Sequence, residues 1–380
     1  MLFFDIFRYG HGIFFVGLQT CLMGGVFREW LRDRQACRKA ESAAALPGAV
    51  PLVSVLVPIH NEEPRMEGLL QSLAVQDYEG AEYIFIDDRS SDKSPAMMAR
   101  FAAGRKNVKI ITLVENPGPN HKQYALSRGI AEAKGEFFLF TDADCEVKPG
   151  WIRAMVQRMA DEQTGAVIGP VFKKEEGKGF FYSYQCYDHV VRYIYLAGAA
   201  GLGAAGGGFG NNLILRRSCL EAAGGYDAVP PSPTEDAALI SRIRAVTKYQ
   251  VWAAVGLETH VKTRAEKSWK GFISQTLRWN NGGLFSPELL TRLNYNLLMI
   301  VISTGILAIP LLPFFPGLWP MPLGVFIVMI ENTIGSLCIA KSSLPRRFWI
   351  LELLFTPVYF TLMTLMGYLG IKVTWKGSRV

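Results

Sequence analysis

The feature that most narrows the fold is a set of short apolar runs that alternate with helix-spaced segments between residues 52 and 140. The runs cover residues 52–58, 83–86, 108–113 and 137–140. Apolar runs of this length read as buried strands. Between them, residues 62–75 place Met66, Leu69, Leu70 and Leu73 on one helical face, and residues 95–103 and 121–133 also read as helices. Strands alternating with helices make parallel β-α-β units, so the expected fold class is α/β with a doubly wound, mostly parallel sheet.

The last run, Phe137-Phe138-Leu139-Phe140, ends abruptly in Thr141-Asp142-Ala143-Asp144. Ligands of such sheets bind outside the carboxyl ends of the strands, so Asp142 and Asp144 arrive where a site belongs. Two hard oxygen donors suit Mg²⁺ or Mn²⁺ holding a phosphate. Taken alone, the same carboxylates also read as a strand cap. The run 83–86 likewise ends in Asp87 and Asp88. A third acidic spot, Thr234-Glu235-Asp236, opens a helical pattern through Leu239, Ile240 and Ile243, where helix capping is an equally simple reading. In residues 269–281, Gln275, Arg278 and Trp279 stand at i, i+3 and i+4 and share a helix face. An arginine there can clamp phosphate and a tryptophan can stack on a ring.

Half of the chain is hydrophobic and only 19% is charged, which points to a membrane part. Residues 10–27 are nearly free of charge, and residues 296–316, 321–340 and 348–369 are long and apolar, although the last has Pro357 near its middle and reads either as a span or as a re-entrant segment. Arg28, Arg32, Arg34, Arg38 and Lys39 follow the first segment, and Lys341, Arg346 and Arg347 follow the third. The positive-inside rule puts these basic flanks, and the domain between them, on the cytoplasmic side. Basic residues also follow the final segment, at Lys372, Lys376 and Arg379. The net charge of +7 suits an anionic bilayer surface or a phosphate-bearing substrate. No aromatic-and-basic nucleic-acid module stands out, so no nucleic-acid partner is expected. Six scattered cysteines without a Cys-x-x-Cys pair give neither a disulfide framework nor a zinc site. Residues 180–195 are rich in aromatics, which fits a membrane interface, an apolar groove or plain core packing. Residues 198–210 hold seven glycines, for close backbone approach or a mobile flap.

In order along the chain, these segments resemble a family-2 glycosyltransferase. Val57-Pro58-Ile59-His60-Asn61-Glu62 resembles the nucleotide-binding opening strand. Asp87-Asp88-Arg89-Ser90-Ser91-Asp92 resembles an Asp-Asp-x-Ser-x-Asp segment, with Arg89 where glycine is usual. Asp142-Ala143-Asp144 resembles the metal-binding Asp-x-Asp, and Gly224-Gly225-Tyr226-Asp227 a Gly-Gly-aromatic-Asp segment. Thr234-Glu235-Asp236 and Gln275-x-x-Arg278-Trp279 resemble the pair found in ceramide glucosyltransferases and in cellulose, chitin and hyaluronan synthases.

The resemblance implies a GT-A fold, a nucleotide-sugar donor, most often a UDP-sugar, and inversion at the anomeric carbon. It implies Asp144 and Asp142 as ligands of Mg²⁺ or Mn²⁺, and Pro58, Asn61, Glu62, Asp87, Asp88, Lys122 and Asp142 as the donor-binding set. Asp236 is the expected general base, with Gln275, Arg278 and Trp279 completing the catalytic set. Segments able to span at both ends favour transfer to a membrane-embedded, lipid-like acceptor. A processive polysaccharide synthase and an inactive binding subunit remain alternatives. The expected organisation is a membrane anchor at 1–30, a basic linker at 31–51, a cytoplasmic GT-A domain at 52–290 and a membrane domain of two or three spans at 291–380. The membrane is a bacterial inner membrane, or that of the endoplasmic reticulum or Golgi.

Overall fold

The computed structural model describes residues 2–43, 50–118, 120–174, 176–340 and 349–371, with the backbone of 374–375 and 378–379. Residues 44–49 of the expected linker and the basic residues Lys341, Arg346, Arg347, Lys372 and Lys376 lie outside the described residues, as does the side chain of Arg379. The chain forms two compact units. One, the sheet unit, is built from Arg28–Lys174 and Gly203–Arg264; the other, a helical unit, from Met1–Phe27, Glu175–Leu202 and Ala265–Val380. The span 52–290 is therefore distributed over both.

The sheet unit begins with the second part of α1 (Leu2–Ala43) and continues through β1 (Val53–Ile59), α2 (Glu67–Ala74), β2 (Ala81–Asp87), α3 (Ser94–Ala102), β3 (Val108–Thr112), α4 (His121–Glu132) and β4 (Phe137–Phe140). The short elements β5 (Cys145–Glu146), α5 (Trp151–Gln157), β6 (Thr164–Ile168) and β7 (Val171–Lys173) follow. The helical unit inserts α6 (Phe180–Gly201). The chain then returns through β8 (Leu213–Arg216), α7 (Arg217–Ala222), α8 (Glu235–Val246), β9 (Gln250–Ala253) and β10 (Val261–Thr263). The main sheet has the order β3-β2-β1-β4-β8-β6-β9, beside a small sheet β5-β10-β7. The strands β3, β2, β1 and β4 are parallel, while β8 runs antiparallel to both of its neighbours. The expected mostly parallel α/β sheet is thus present, with β8 as the reversal.

All four residues of β4 and six of the seven in β1 are buried, as expected of a strand covered on both faces. Pro58 is tolerated in central β1 because pairing with β4 stops at Leu56–Phe140, so its missing N–H falls beyond the ladder. On α4, a Cβ at Gly129 would stand 2.8 Å from Ile86 and 3.1 Å from Leu56, so glycine lets this helix lie close on the sheet.

The basic linker expected at 31–51 is instead helical as far as Ala43. The physical reason is twofold. No glycine or proline interrupts the chain between Arg28 and Pro47, and Glu29, Asp33 and Ala36/Cys37 share one face. Glu29 accepts the Ala253 N–H at 2.9 Å, satisfying a donor on the free edge of strand β9. Arg32 stacks on Trp252, 5.0 Å from the ring centre. Asp33 takes two bonds from Arg158, at 2.6 and 2.9 Å, and both residues are buried. The charge run is therefore partly a docking face.

In the helical unit, α6, α9 (Trp269–Leu284), α10 (Leu289–Leu307), α11 (Pro320–Ala340) and α12 (Ile350–Tyr368) join the first part of α1. Among the described residues four helices, covering Asp5–Lys39, Leu289–Leu311, Pro316–Ile339 and Ile350–Tyr368, are long and apolar enough to cross a membrane. Leu289, Leu293, Leu297 and Ile300 form an exposed apolar stripe on α10. The glycine-rich stretch gives close approach at its start. A Cβ at Gly25 would lie 2.2 Å from the Gly198 carbonyl oxygen, and one at Gly201 2.1 Å from that of Gly25, so α1 and α6 touch backbone to backbone. Among the aromatics of 180–195, Tyr184, Tyr187 and Tyr193 are fully buried; Tyr184 packs with Phe272 and Phe355 and Tyr187 with Trp349, which is core packing.

Replacing Asp33 by Ala strands the Arg158 guanidinium without its carboxylate. The expected cost is about 3–5 kcal/mol of unfolding free energy, measured on the detergent-solubilised chain by denaturant titration. Unchanged stability would mean that α1 is not docked through Asp33 on the Arg158 end of α5.

Candidate active site

The carboxyl ends of β1, β2 and β4 form one rim, and the sheet order reverses between β1 and β4, where ligand crevices arise. Helices that lead into strands of the same direction start at that rim. Helix α4 precedes β4, and α8 precedes β9, which runs parallel to β6. The N-terminal turns of both helices therefore meet the loop after β4.

The central contact is an ammonium held by two carboxylates. Lys122, in the first turn of α4, places Nζ 2.8 Å from Asp142 Oδ1 and 3.1 Å from Glu235 Oε1. Asn120 caps this helix by accepting the Gln123 N–H at 3.1 Å. Burial favours the neutral amine, yet Asp142 and Glu235 outweigh it and hold the Lys122 pKa well above its ordinary value. The first Asp of the Asp-x-Asp loop and the acidic start of α8 are thus brought together, although they lie far apart in the sequence.

Asp236 is half-buried in the first turn of α8. Its Oδ2 accepts the Gly210 N–H at 2.6 Å and its Oδ1 the Ala237 N–H at 2.8 Å. Burial first, and the neighbouring Glu235 charge second, push its pKa up to about 6. A Cβ at Gly210 would stand 3.0 Å from Asp236 Cβ and Oδ2, so glycine permits this approach. Thr234 precedes α8 without a capping bond from its side chain. A small hollow beside these groups is lined by Leu126, Phe140, Tyr226 and Leu239 together with Glu235 and Asp236. The Tyr226 ring stacks on Phe140 at 6.4 Å.

Asp144 is half-buried next to Asp142. Among the described residues its carboxylate receives only a long contact from Cys145 Sγ, at 3.8 Å. No group of three or more His, Cys, Asp or Glu side chains among the described residues is arranged to hold a metal ion. That donor set fits Mg²⁺ or Mn²⁺, which bind through one or two carboxylates and complete their shell with substrate phosphates and water. Asp144, with the oxygen of Asp142 that Lys122 leaves, are the residues able to hold it.

The loops after β1 and β2 are stitched together. Asn61 accepts the Ser91 N–H at 2.8 Å and donates its own N–H to Ser90 Oγ at 3.1 Å. His60 donates from Nδ1 to the Asp88 carbonyl at 2.6 Å, and Glu63 donates its N–H to Asp92 at 2.9 Å. Asp87 and Asp88 are both buried. Asp87 accepts the Ser90 N–H at 3.1 Å and Asp88 accepts from Arg89 Nε at 2.8 Å. Glu62 pairs with Arg65 at 2.7 Å. The side chains of Asn61 and Glu62 thus hold the loop, and Pro58 lies inside β1.

Gln275, Arg278 and Trp279 belong to the helical unit, on α9. There, α6 orders Trp279. The His189 ring stacks on it at 5.3 Å and 13°, and the Arg192 guanidinium lies 5.5 Å from its centre. Arg192 is fixed by Asp188 at 2.8 Å. Glu235 and Gly210 as partners, and α6 as the support of Trp279, were not readable from motif spacing. The acidic residue before Asp236 and the glycine-rich run were the only signals.

Residues 54–223 match the sequence profile of glycosyl transferase family 2. The chain is similar to the glycosyltransferase GlyG of Streptococcus pneumoniae, at 32% identity over 35% of this chain and 43% of that protein. It is also similar to the beta-monoglucosyldiacylglycerol synthase of Trichormus variabilis, at 25% identity over 79% of this chain and 64% of that one. The chain thus spans less than two thirds of the length of these curated relatives. A mannosyltransferase from Pyrobaculum calidifontis, solved in complex with GDP-Man and Mn²⁺, is 18% identical. It superposes with a TM-score of 0.50 over 94% of this chain and 99% of its own. The fold is GT-A-like, and residues 54–223 within it match glycosyl transferase family 2.

Proposed function

We propose that the chain is an inverting glycosyltransferase that moves a hexose from a nucleotide-sugar, a UDP-sugar first among them, to a hydroxyl of a membrane-embedded, lipid-like acceptor. The observation that carries this reading is the Lys122 contact, which gathers Asp142 and the Glu235–Asp236 turn at the carboxyl rim of the sheet. The Trichormus relative, named for synthesis of a glucosyl lipid, and the four apolar helices support a lipid acceptor. They also support an integral membrane protein whose sheet unit faces the cytoplasm, on the side of Arg28, Arg34 and Arg38.

In this reading Asp236 takes the proton of the attacking hydroxyl. Its raised pKa suits a base that works near neutral pH. The Gly210 N–H fixes one carboxylate oxygen, which aims the other. Lys122 screens three clustered carboxylates, so that Asp236 stays ionised beside Glu235. Asp144 and Asp142 hold the divalent ion, which when bound supplies Lewis-acid stabilisation of the departing diphosphate. Arg278 and Trp279, which the motif makes members of the catalytic set, lie on α9, where His189 and Arg192 hold the Trp279 ring. Asp87 and Asp88 accept bonds from the nucleoside.

Membranes containing the protein, given labelled UDP-sugar and Mn²⁺, should move label into solvent-extractable lipid, and Asp236→Asn should lower that rate by about 100-fold or more. Label in an insoluble polymer, or transfer unaffected by Asp236→Asn, would contradict the reading. A carboxylate base works only when deprotonated, so kcat/KM should fall as pH drops through about 6. Because Glu235 raises and Lys122 lowers the Asp236 pKa, Lys122→Met should move that limb to higher pH, as a pH-rate series would reveal. Gly210→Ala should push Asp236 out of line and lower kcat by about tenfold to a hundredfold while donor KM stays near wild type, read from initial rates.

A further inference from the structure

Among the described residues only two non-glycine positions have φ in the left-handed region, Asn61 at 54° and Arg89 at 58°. Both follow the carboxyl ends of the paired strands β1 and β2, whose last partners are Ile59 and Asp87. Such a backbone is costly for an L side chain and is kept where something over-determines it. Asn61 accounts for itself, since asparagine tolerates this region and its side chain bonds the facing loop. Arginine has no such local pattern. Glycine would make the same turn without strain.

The Arg89 side chain shows what it does and what it leaves over. Its Nε donates to Asp88 Oδ1 at 2.8 Å, and Asp88 is buried. Among the described residues no other atom of the guanidinium has a partner, and the side chain is 36% exposed. Asp88 has one carboxylate oxygen bound to Arg89, and its other oxygen has no partner among the described residues. An acceptor-only group and a donor-only group thus stand side by side at the crevice rim, on a loop stitched rigidly to its neighbour.

Resting on the glycosyltransferase reading above, we propose that Arg89 is a specificity-determining residue of the donor site that donates to a carbonyl oxygen of the nucleobase, with uracil and guanine as the fitting bases. A carboxylate only accepts and a guanidinium only donates. Side by side they complement a ring N–H next to a carbonyl, the edge that uracil and guanine present. With the carboxylate at the ring nitrogen and the guanidinium at the exocyclic group, cytosine and adenine set a ring acceptor against the carboxylate and an amino group against the guanidinium, the wrong polarity at both places. Nε stays on Asp88 and fixes the plane of the fork, which leaves the terminal nitrogens for the base.

The test titrates the full-length protein in detergent, with Mn²⁺, against UDP, GDP, CDP and ADP by calorimetry. Wild type should bind UDP or GDP at least about tenfold more tightly than CDP and ADP. Arg89→Gly keeps the backbone conformation and should compress that difference to within about threefold. Arg89→Lys keeps the charge without the planar fork and should lose discrimination in the same way. Circular dichroism melts check that both variants fold. A ratio unchanged in both folded variants overturns the assignment of Arg89 alone. An equal proportional loss for all four nucleotides also overturns it, since that places Arg89 on the diphosphate. Failure of wild type to bind any of the four overturns the glycosyltransferase reading and this inference together.

Discussion

The site depends on one ammonium. Lys122 stands between Asp142 and Glu235, and Asp236 adds a third carboxylate to the same turn. Without a cation, three clustered carboxylates cannot all ionise near neutral pH, and their repulsion would drive the β4 loop and the α8 turn apart. With it, the two segments are held within ion-pair distance. Asp236 is left with backbone N–H partners and a pKa of about 6. The fold makes the contact possible, because α4 and α8 both begin at the edge where β4 ends.

A second constraint is the closeness of backbones. Gly210 lets a main-chain N–H reach Asp236, Gly129 lets α4 lie on β1 and β2, and Gly25, Gly198 and Gly201 let α1 and α6 meet. In each place a side chain would separate elements that the packing brings together. The Arg89 turn is the contrast, a position where glycine would be comfortable and a large cation stands instead.

Much of the sheet was legible because each strand is a short apolar run with a polar end. β4 came out at its observed limits, and Asp142 and Asp144 follow it at the carboxyl rim. The placement of Glu235 beside Lys122 was not legible, since a tertiary ion pair leaves no local period. The basic run after residue 27 was read by composition, which favoured a linker. Its helical face, with Glu29 and Asp33 one turn apart, was the better guide to docking. The division into units was also hidden. The chain leaves the sheet unit at Lys174 and returns at Gly203, and α6 between them looks like one more segment of the same domain. The motif residues Gln275, Arg278 and Trp279 share a face of α9 as their spacing requires, while their support by His189 and Arg192 comes from α6.

The most direct test of the central claim is the anomalous scattering of Mn²⁺ in crystals of the protein grown with a nucleoside diphosphate. The account predicts a peak about 2.0–2.6 Å from an Asp144 carboxylate oxygen, with diphosphate oxygens in the same shell and Lys122 close to Asp142. A peak remote from Asp144, or a nucleotide bound away from the carboxyl ends of β1, β2 and β4, would contradict it.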